Sequence, residues 1–219
     1  MGGGYVRQSA ISEGALAAFG AKLGARVTAD DLFHYVYGVL HVPTYRSKYA
    51  TNLQKEQPRI PVPKEPDTFR VLVRAGKQLG DLHVHYDAVE PWPIAFEKGG
   101  REPRRGVVPM DWFRVDKPMC HPRQGKTKDT TRVQYNAHIT VSEIPEEAYS
   151  YIVNGKPAIA WVMTRQCVKK AKASGIVNDA NRYALETMQD PAYPLELLAR
   201  VIRISIETQR IVRRLPDPE

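Results

Sequence analysis

Residues 131–141 read Thr-Arg-Val-Gln-Tyr-Asn-Ala-His-Ile-Thr-Val, and this stretch decides the fold class. Val133, Tyr135, Ala137, Ile139 and Val141 alternate with Arg132, Gln134, Asn136, His138 and Thr140. Successive side chains of an extended chain point to opposite faces, so the alternation predicts one half-buried strand running the length of the stretch. A strand of this quality makes the molecule something other than a helical bundle.

Moving outward toward the N-terminus, residues 91–129 contain Pro91, Pro93, Gly99, Gly100, Pro103, Gly106, Pro109, Pro118, Pro122 and Gly125. Breakers at that density predict loops and short strands, with Trp112-Phe-Arg-Val115 as a second strand. Before them the pattern turns helical. Residues 67–86 bring Phe69, Leu72 or Val73, Leu79 and Leu82 inward. Pro58-Arg-Ile-Pro-Val-Pro63 must be extended, since three prolines do not fit inside a helix. A short helix is expected from Thr44 to Lys55, another from Thr28 to just before Pro43, and a first one over residues 11–23. Thr28 can cap its helix, and Asp30 and Asp31 favour the positive end of the helix dipole.

Toward the C-terminus, Pro145-Glu-Glu-Ala148 reads as the first turn of a helix that Asn154-Gly155 ends. Pro157 opens the next helix, with Ile159, Trp161, Val162 and Met163, and Ser174–Asn181 reads as a loop. A long final helix over about 194–215 carries two apolar faces, one through Leu197, Val201 and Ile204 and one through Leu198, Ile202 and Ile206. Arg200, Arg203, Arg210 and Arg214 form its third stripe. The expectation is an α+β fold in which helical N- and C-terminal parts flank a small, loop-rich, mainly antiparallel β region. The boundaries read as 1–90, 91–144 and 145–219, together making one domain.

Composition narrows the function. Of 219 residues 42% are hydrophobic and 26% charged, which fits a globular chain with a true core and excludes collagen-like or wholly disordered readings. No apolar run reaches the length of a membrane span, and the start Met1-Gly-Gly-Gly-Tyr-Val-Arg7 has no export signal core. Two cysteines, Cys120 and Cys167, do not make a disulfide framework, so a cytoplasmic location is expected. The net charge of +8 favours a polyanionic partner.

The chain has no GxxxxGK[ST] phosphate loop, GxGxxG fingerprint, G-x-S-x-G elbow or HExxH motif. His83 and His85 stand two apart on an expected helix and so face different ways, a poor chelate. Glu146 and Glu147 have sufficient explanation at a helix start. No catalytic residue and no metal site is therefore expected, though a hydrolase built on His83, His85 or the glutamate pair stays as a remote alternative.

The positive charge is concentrated. Between Arg101 and Arg132 stand nine basic residues and four acidic ones. A second group is Arg165, Lys169, Lys170 and Lys172, and a third is Arg46, Lys48, Lys55 and Arg59. Basic loops on a folded scaffold suit a nucleic-acid reader, because Lys and Arg hold phosphates while Arg, Asn and Gln reach base edges. The candidate DNA-binding residues are Arg101, Arg104, Arg105, Arg123, Gln124, Lys126, Lys128, Arg132, Gln134, Asn136, Lys169, Lys170, Lys172, Arg46 and Lys48, of which Arg123, Gln124, Arg132, Gln134 and Asn136 are the base readers.

Several blocks also look familiar together: Asp31-Leu-Phe-His-Tyr-Val-Tyr-Gly-Val-Leu-His-Val-Pro-Thr-Tyr-Arg-Ser-Lys-Tyr-Ala-Thr-Asn-Leu-Gln-Lys55 with Pro58-Arg-Ile-Pro61, Tyr135-Asn-Ala-His-Ile-Thr-Val141 with Ile144-Pro-Glu-Glu-Ala-Tyr-Ser-Tyr-Ile-Val-Asn-Gly155, Ser174-Gly-Ile-Val-Asn-Asp179, and the closing helix from Val201. In order and spacing they resemble the C-terminal specificity domain of type ISP restriction–modification enzymes, from about Tyr5 to Pro216. The resemblance implies a target-recognition domain that follows a nuclease, a helicase-like motor and an adenine-N6 methyltransferase, and that reads a short asymmetric sequence in double-stranded DNA. S-adenosylmethionine, ATP and Mg belong to those upstream domains, and this chain is expected to hold no cofactor. Its expected partners are double-stranded DNA and the upstream methyltransferase and helicase-like domains, with no membrane. It then reads as an excised domain or short gene product without activity of its own. Residues 97–130 depart most from the family pattern and are unusually basic. An interdomain docking module without direct base reading is the alternative, motivated by the two-faced final helix.

Overall fold

The computed structural model describes residues 9–97 and 110–219. The chain folds as two compact units, one of residues up to Val84 together with Arg210–Glu219, the other of His85–Gln209.

The first unit is helical. Helix α1 spans Glu13–Leu23; the Ser12 hydroxyl caps it by accepting from Ala15 N, and Gly24 leaves it in the left-handed conformation that glycine adopts without strain. Helix α2 spans Ala29–Val39 and opens on a capping box, with the Thr28 side chain bonded to Asp31 N and the Asp31 carboxylate to Thr28 N. Pro43 then starts α3 (Pro43–Lys48), which breaks at Tyr49 before α4 (Ala50–Lys55), so the single helix expected from Thr44 to Lys55 is two short ones. After the extended proline segment comes α5, Pro66–Val84. Phe19, Leu32, Tyr35, Val39, Phe69 and Leu72 form the core, with Leu215 packed against it. The Tyr35 and Tyr45 hydroxyls reach out of that core to donate to the carbonyls of Pro61 and Arg59, which ties the proline segment down.

The second unit holds the β structure and the rest of the helices. Strand β1 (Ala95–Phe96) is followed by β2 (Arg123–Gln124) and β3 (Thr127–Lys128), then β4 (Val133–Gln134) and β5 (Thr140–Ser142). The main sheet is antiparallel in the order β1-β5-β4. The 131–141 stretch is thus a hairpin and not one strand: Val133 faces Val141, Gln134 faces Thr140, and residues 135–139 form the turn. A tight reversal at Ala137 mirrors the alternation, so Val133, Tyr135, Ile139 and Val141 are all buried while Ala137 is exposed. Period-two burial survives the fold-back, which is why the sequence alone cannot tell the two apart.

Three other local expectations change. Residues 110–113 form a 3-10 turn and not a strand. The helix expected after Pro145 is a single 3-10 turn, Glu146–Tyr149, and Asn154-Gly155 links β6 (Ile152–Val153) to β7 (Lys156–Pro157). Both turn residues have positive φ, the type I′ geometry that Asn-Gly favours. Past α6 (Ala158–Arg165), the region expected to be a loop holds β9 (Val177–Asp179), paired with β8 (Val168–Lys170), and then α7 (Ala180–Glu186). Helix α8, Tyr193–Val212, closes the chain. Leu198, Ile202 and Ile206 are buried in a core with Val115, Val133, Tyr135, Val141, Ile144 and Ile159. Helices at both ends therefore flank a small antiparallel β region, the α+β architecture expected.

Candidate nucleic-acid interface

A cleft of about 560 Å3 opens in the second unit, with Arg114, Lys117, Cys120, Gln134, Asn136 and His138 among its lining residues. Two β-ribbons adjoin its lining residues. At the first, Cys120 forms an antiparallel bridge with Gln134, through hydrogen bonds of 3.2 and 2.8 Å. The chain leaves that bridge directly into the β2–β3 ribbon, whose base is tied by Asp129 N donating to Pro122 O and by the His121 ring against Arg132 O. The ribbon reverses over Gly125-Lys126, with Gly125 at positive φ in the first turn position, as a type II′ turn requires. Arg123, Lys126 and Lys128 are exposed and carry no ion pair among the described residues. Gln124 is paired with Thr127 at the end of the ribbon.

At the second, Arg114 lines the cleft, pairs with Asp116 at 2.8 Å, and lies 3.5 Å from Asp179, the last residue of β9. The buried Asn181 side chain fixes this junction, accepting from Val115 N at 2.8 Å and donating to Val115 O at 3.1 Å. Strand β9 pairs with β8 in the register Val168–Asp179, Lys169–Asn178, Lys170–Val177, and a loop containing Gly175 (φ 71°) joins them. Lys170 and Lys172 are exposed, and Lys169 is half-buried. The sequence has no Asp or Glu between Ala158 and Asn178, so the one acid of this ribbon is Asp179 at its base, where it pairs with Arg114.

The expected site residues separate into groups. The structure brings Arg123, Gln124, Lys126 and Lys128 together on one ribbon, Lys169, Lys170 and Lys172 on the other, and Gln134 onto the cleft wall. Arg132 is different: Glu97 takes its guanidinium in a bidentate pair and Asp129 lies 3.8 Å away. Asn136 has both amide groups engaged within the fold. Arg46 and Lys48 lie on α3 in the first unit, where Arg46 is exposed and Lys48 is paired with Glu219. Arg101, Arg104 and Arg105 lie outside the described residues. Arg114 and Lys117, counted among the nine basic residues but absent from the expected DNA-binding residues, also line the cleft beside Asp111 and Asp116.

The histidines and acids considered for catalysis have local explanations. His83 Nδ1 sits 2.7 Å from the Tyr37 hydroxyl, beside the His41 ring. Glu146 and Glu147 open a 3-10 turn. Among the described residues no three His, Cys, Asp or Glu side chains gather as a metal site would require. Among them too, no helix is long and apolar enough to cross a membrane.

No curated protein matches the sequence. Solved structures do, among them the following three. A nuclease-deletion mutant of the type ISP restriction-modification enzyme LlaGI, in complex with a DNA substrate mimic, is 39% identical with a TM-score of 0.71 over 89% of this chain and 14% of its own. The ATP-dependent type ISP restriction-modification enzyme LlaBIII bound to DNA is 34% identical with a TM-score of 0.78, over 97% of this chain and 13% of its own. A DrdV–DNA complex is 31% identical with a TM-score of 0.73, over 94% of this chain and 20% of its own. This chain thus spans a fifth or less of the length of each of them. The family model for the type ISP C-terminal specificity domain matches residues 3–197, and the chain belongs to that family.

Proposed function

We propose that this chain binds double-stranded DNA sequence-specifically, as the target-recognition part of a type ISP restriction–modification system, and places its target for an adenine-N6 methyltransferase and motor carried elsewhere. In this reading the chain is non-catalytic and cytoplasmic, and the S-adenosylmethionine, ATP and Mg of the system are held by other domains. The observation that carries it is the pair of basic ribbons joined to the lining of one cleft, β2–β3 through the Cys120–Gln134 bridge and β8–β9 through the Arg114–Asp179 pair. A two-stranded ribbon fits the major groove, and lysines along its edge fall beside the phosphates. Gln134 on the cleft wall adds a donor and an acceptor for base edges. Family membership and the DNA-bound state of the similar structures support the same reading.

Two arginines of the α8 stripe, which motivated a docking role, are used inside the second unit. Arg200 pairs with Glu196 and donates to Val89 O, and Arg203 lies over the Trp92 ring. The direct test is an anisotropy titration with random-sequence duplex over a series of salt concentrations. Each phosphate contact contributes about 0.9 to the slope of log affinity against log salt. Charge reversal at Lys126 and Lys128 flattens that slope. Complete lack of binding at low salt, or a slope indifferent to the reversal, overturns the proposal.

A further inference from the structure

The β8–β9 ribbon has a property that phosphate contact leaves unexplained. Ile176 and Val177 are 60% and 55% exposed. Every residue from Ala171 to Asn178 is exposed, so the outer half of the ribbon stands clear of the fold on both faces. Two β-branched apolar side chains held in water gain nothing from packing, and a pair of them on a projecting element marks a contact surface. Their neighbours are cationic. The register sets Lys170 opposite Val177, and Lys169 lies across from Asn178, on the same face of β9 as Ile176. Each face of the ribbon therefore carries one exposed apolar side chain beside a lysine, Val177 with Lys170 on one and Ile176 with Lys169 on the other.

The major groove of duplex DNA has that complement. Its walls are phosphates, it is about 12 Å wide and takes a two-stranded ribbon, and the apolar group on its floor is the C5-methyl of thymine. We propose that the β8–β9 ribbon enters the major groove, that Ile176 and Val177 contact thymine methyl groups, and that Lys170 and Lys172 hold the flanking phosphates. Asn178 shares the face of Ile176 and presents a side-chain amide, the group that pairs with adenine N6 and N7, so that face is suited to an A·T pair. This rests on the DNA-recognition reading above and adds to it the residues that discriminate and the base they favour.

The experiment replaces thymine with uracil, which removes the methyl and leaves charge, pairing and the minor groove unchanged. The full chain is used to enrich a random-sequence duplex pool, and the enriched pool is copied once with thymidine and once with deoxyuridine triphosphate. The wild type binds the thymine copy about fourfold more tightly for each methyl it buries. The Ile176→Ser/Val177→Ser variant binds both copies equally and keeps the wild-type salt slope. Its thermal midpoint stays at the wild-type value, because both side chains are exposed. Lys172→Ala supplies the converse: its slope falls by about one phosphate contact while its thymine preference persists. Equal binding of the two copies by the wild type overturns the proposal, as does a preference that survives in the double variant. Self-association of the wild type that the double variant abolishes overturns it too, by showing that a protein covers the ribbon. Failure to bind any duplex at low salt is a different result and overturns the recognition reading itself.

Discussion

The Asn136 amide accepts from the backbone N–H groups of His138 and Ile139, both at 2.8 Å, and donates to the carbonyls of Trp112 and Arg114 at 2.8 and 3.0 Å. An asparagine side chain has two donors and two acceptor lone pairs, so its capacity is taken up. The residue type suits base reading and turn locking equally, and only the fold distinguishes them. Asn136→Ala is expected to cost about 1–3 kcal/mol, because it orphans groups at the turn, and urea denaturation measures it. A change below about 0.5 kcal/mol removes the locking role. Arg132 is similar: its charge was legible, but not the Glu97 and Asp129 carboxylates around it, since Glu97 lies far off in sequence. His83 yields a pH prediction. Burial, and then the neighbouring His41, push its pKa down to about 4. The unfolded ring protonates near 6.5, so below that value the unfolded chain binds the extra proton and folding weakens. Burial lowers His41 as well. The thermal midpoint is expected to fall as pH drops from about 6.5 to 4, and His83→Gln to make that fall shallower. A midpoint flat across the window contradicts the half-buried neutral ring.

Among the elements, α2 and α5 meet at glycines. A Cβ on Gly76 falls 1.8 Å from His34 O, and one on Gly38 falls 2.4 Å from Leu72 O. Both clashes are with backbone, which a rotamer change cannot relieve, so the two helices must separate. Gly76→Ala is expected to cost about 3 kcal/mol or more, at the upper end of overpacking. Gly80, one turn further along α5, has nothing within 4 Å of its Cβ position. Gly80→Ala is expected to stabilise by up to about 1 kcal/mol, through helix propensity alone. Thermal melts of the two variants check this, and equal midpoints refute the close crossing. Helix existence was legible here because capping and periodicity are local: Thr28, Pro43 and Phe69 each act within a turn of their own position. The β elements were less legible. The 131–141 alternation is symmetric about its turn, and Asn154-Gly155 serves as a helix end or a type I′ hairpin with equal ease until Ile152 and Pro157 are known to pair. The β8–β9 ribbon gave no alternation at all, since neither face of its outer half is buried.

For the whole molecule, the sign and size of the net charge were readable, but not which cations are free to meet phosphate. The structure sorts them. Arg123, Lys126 and Lys128 on one ribbon and Lys170 and Lys172 on the other are exposed and outside any ion pair among the described residues, whereas Arg132 and Lys48 are engaged by carboxylates. A paired cation exchanges one anion for another when it meets DNA and releases little counterion, so equal charge in the sequence carries unequal weight in binding. Replacing Arg123, Lys126 and Lys128 together by glutamine is expected to lower the salt slope of duplex binding by about 2.7. Replacing Lys48 by glutamine is expected to change it by less than about 0.5, because Glu219 already screens that ammonium. The two variants differ in net charge from the wild type by three and by one, so a pure net-charge effect predicts slope changes in that ratio. A Lys48→Gln change near one third of the triple variant's would therefore show that the molecule attracts DNA as a diffuse cation, and the two-ribbon interface would fall.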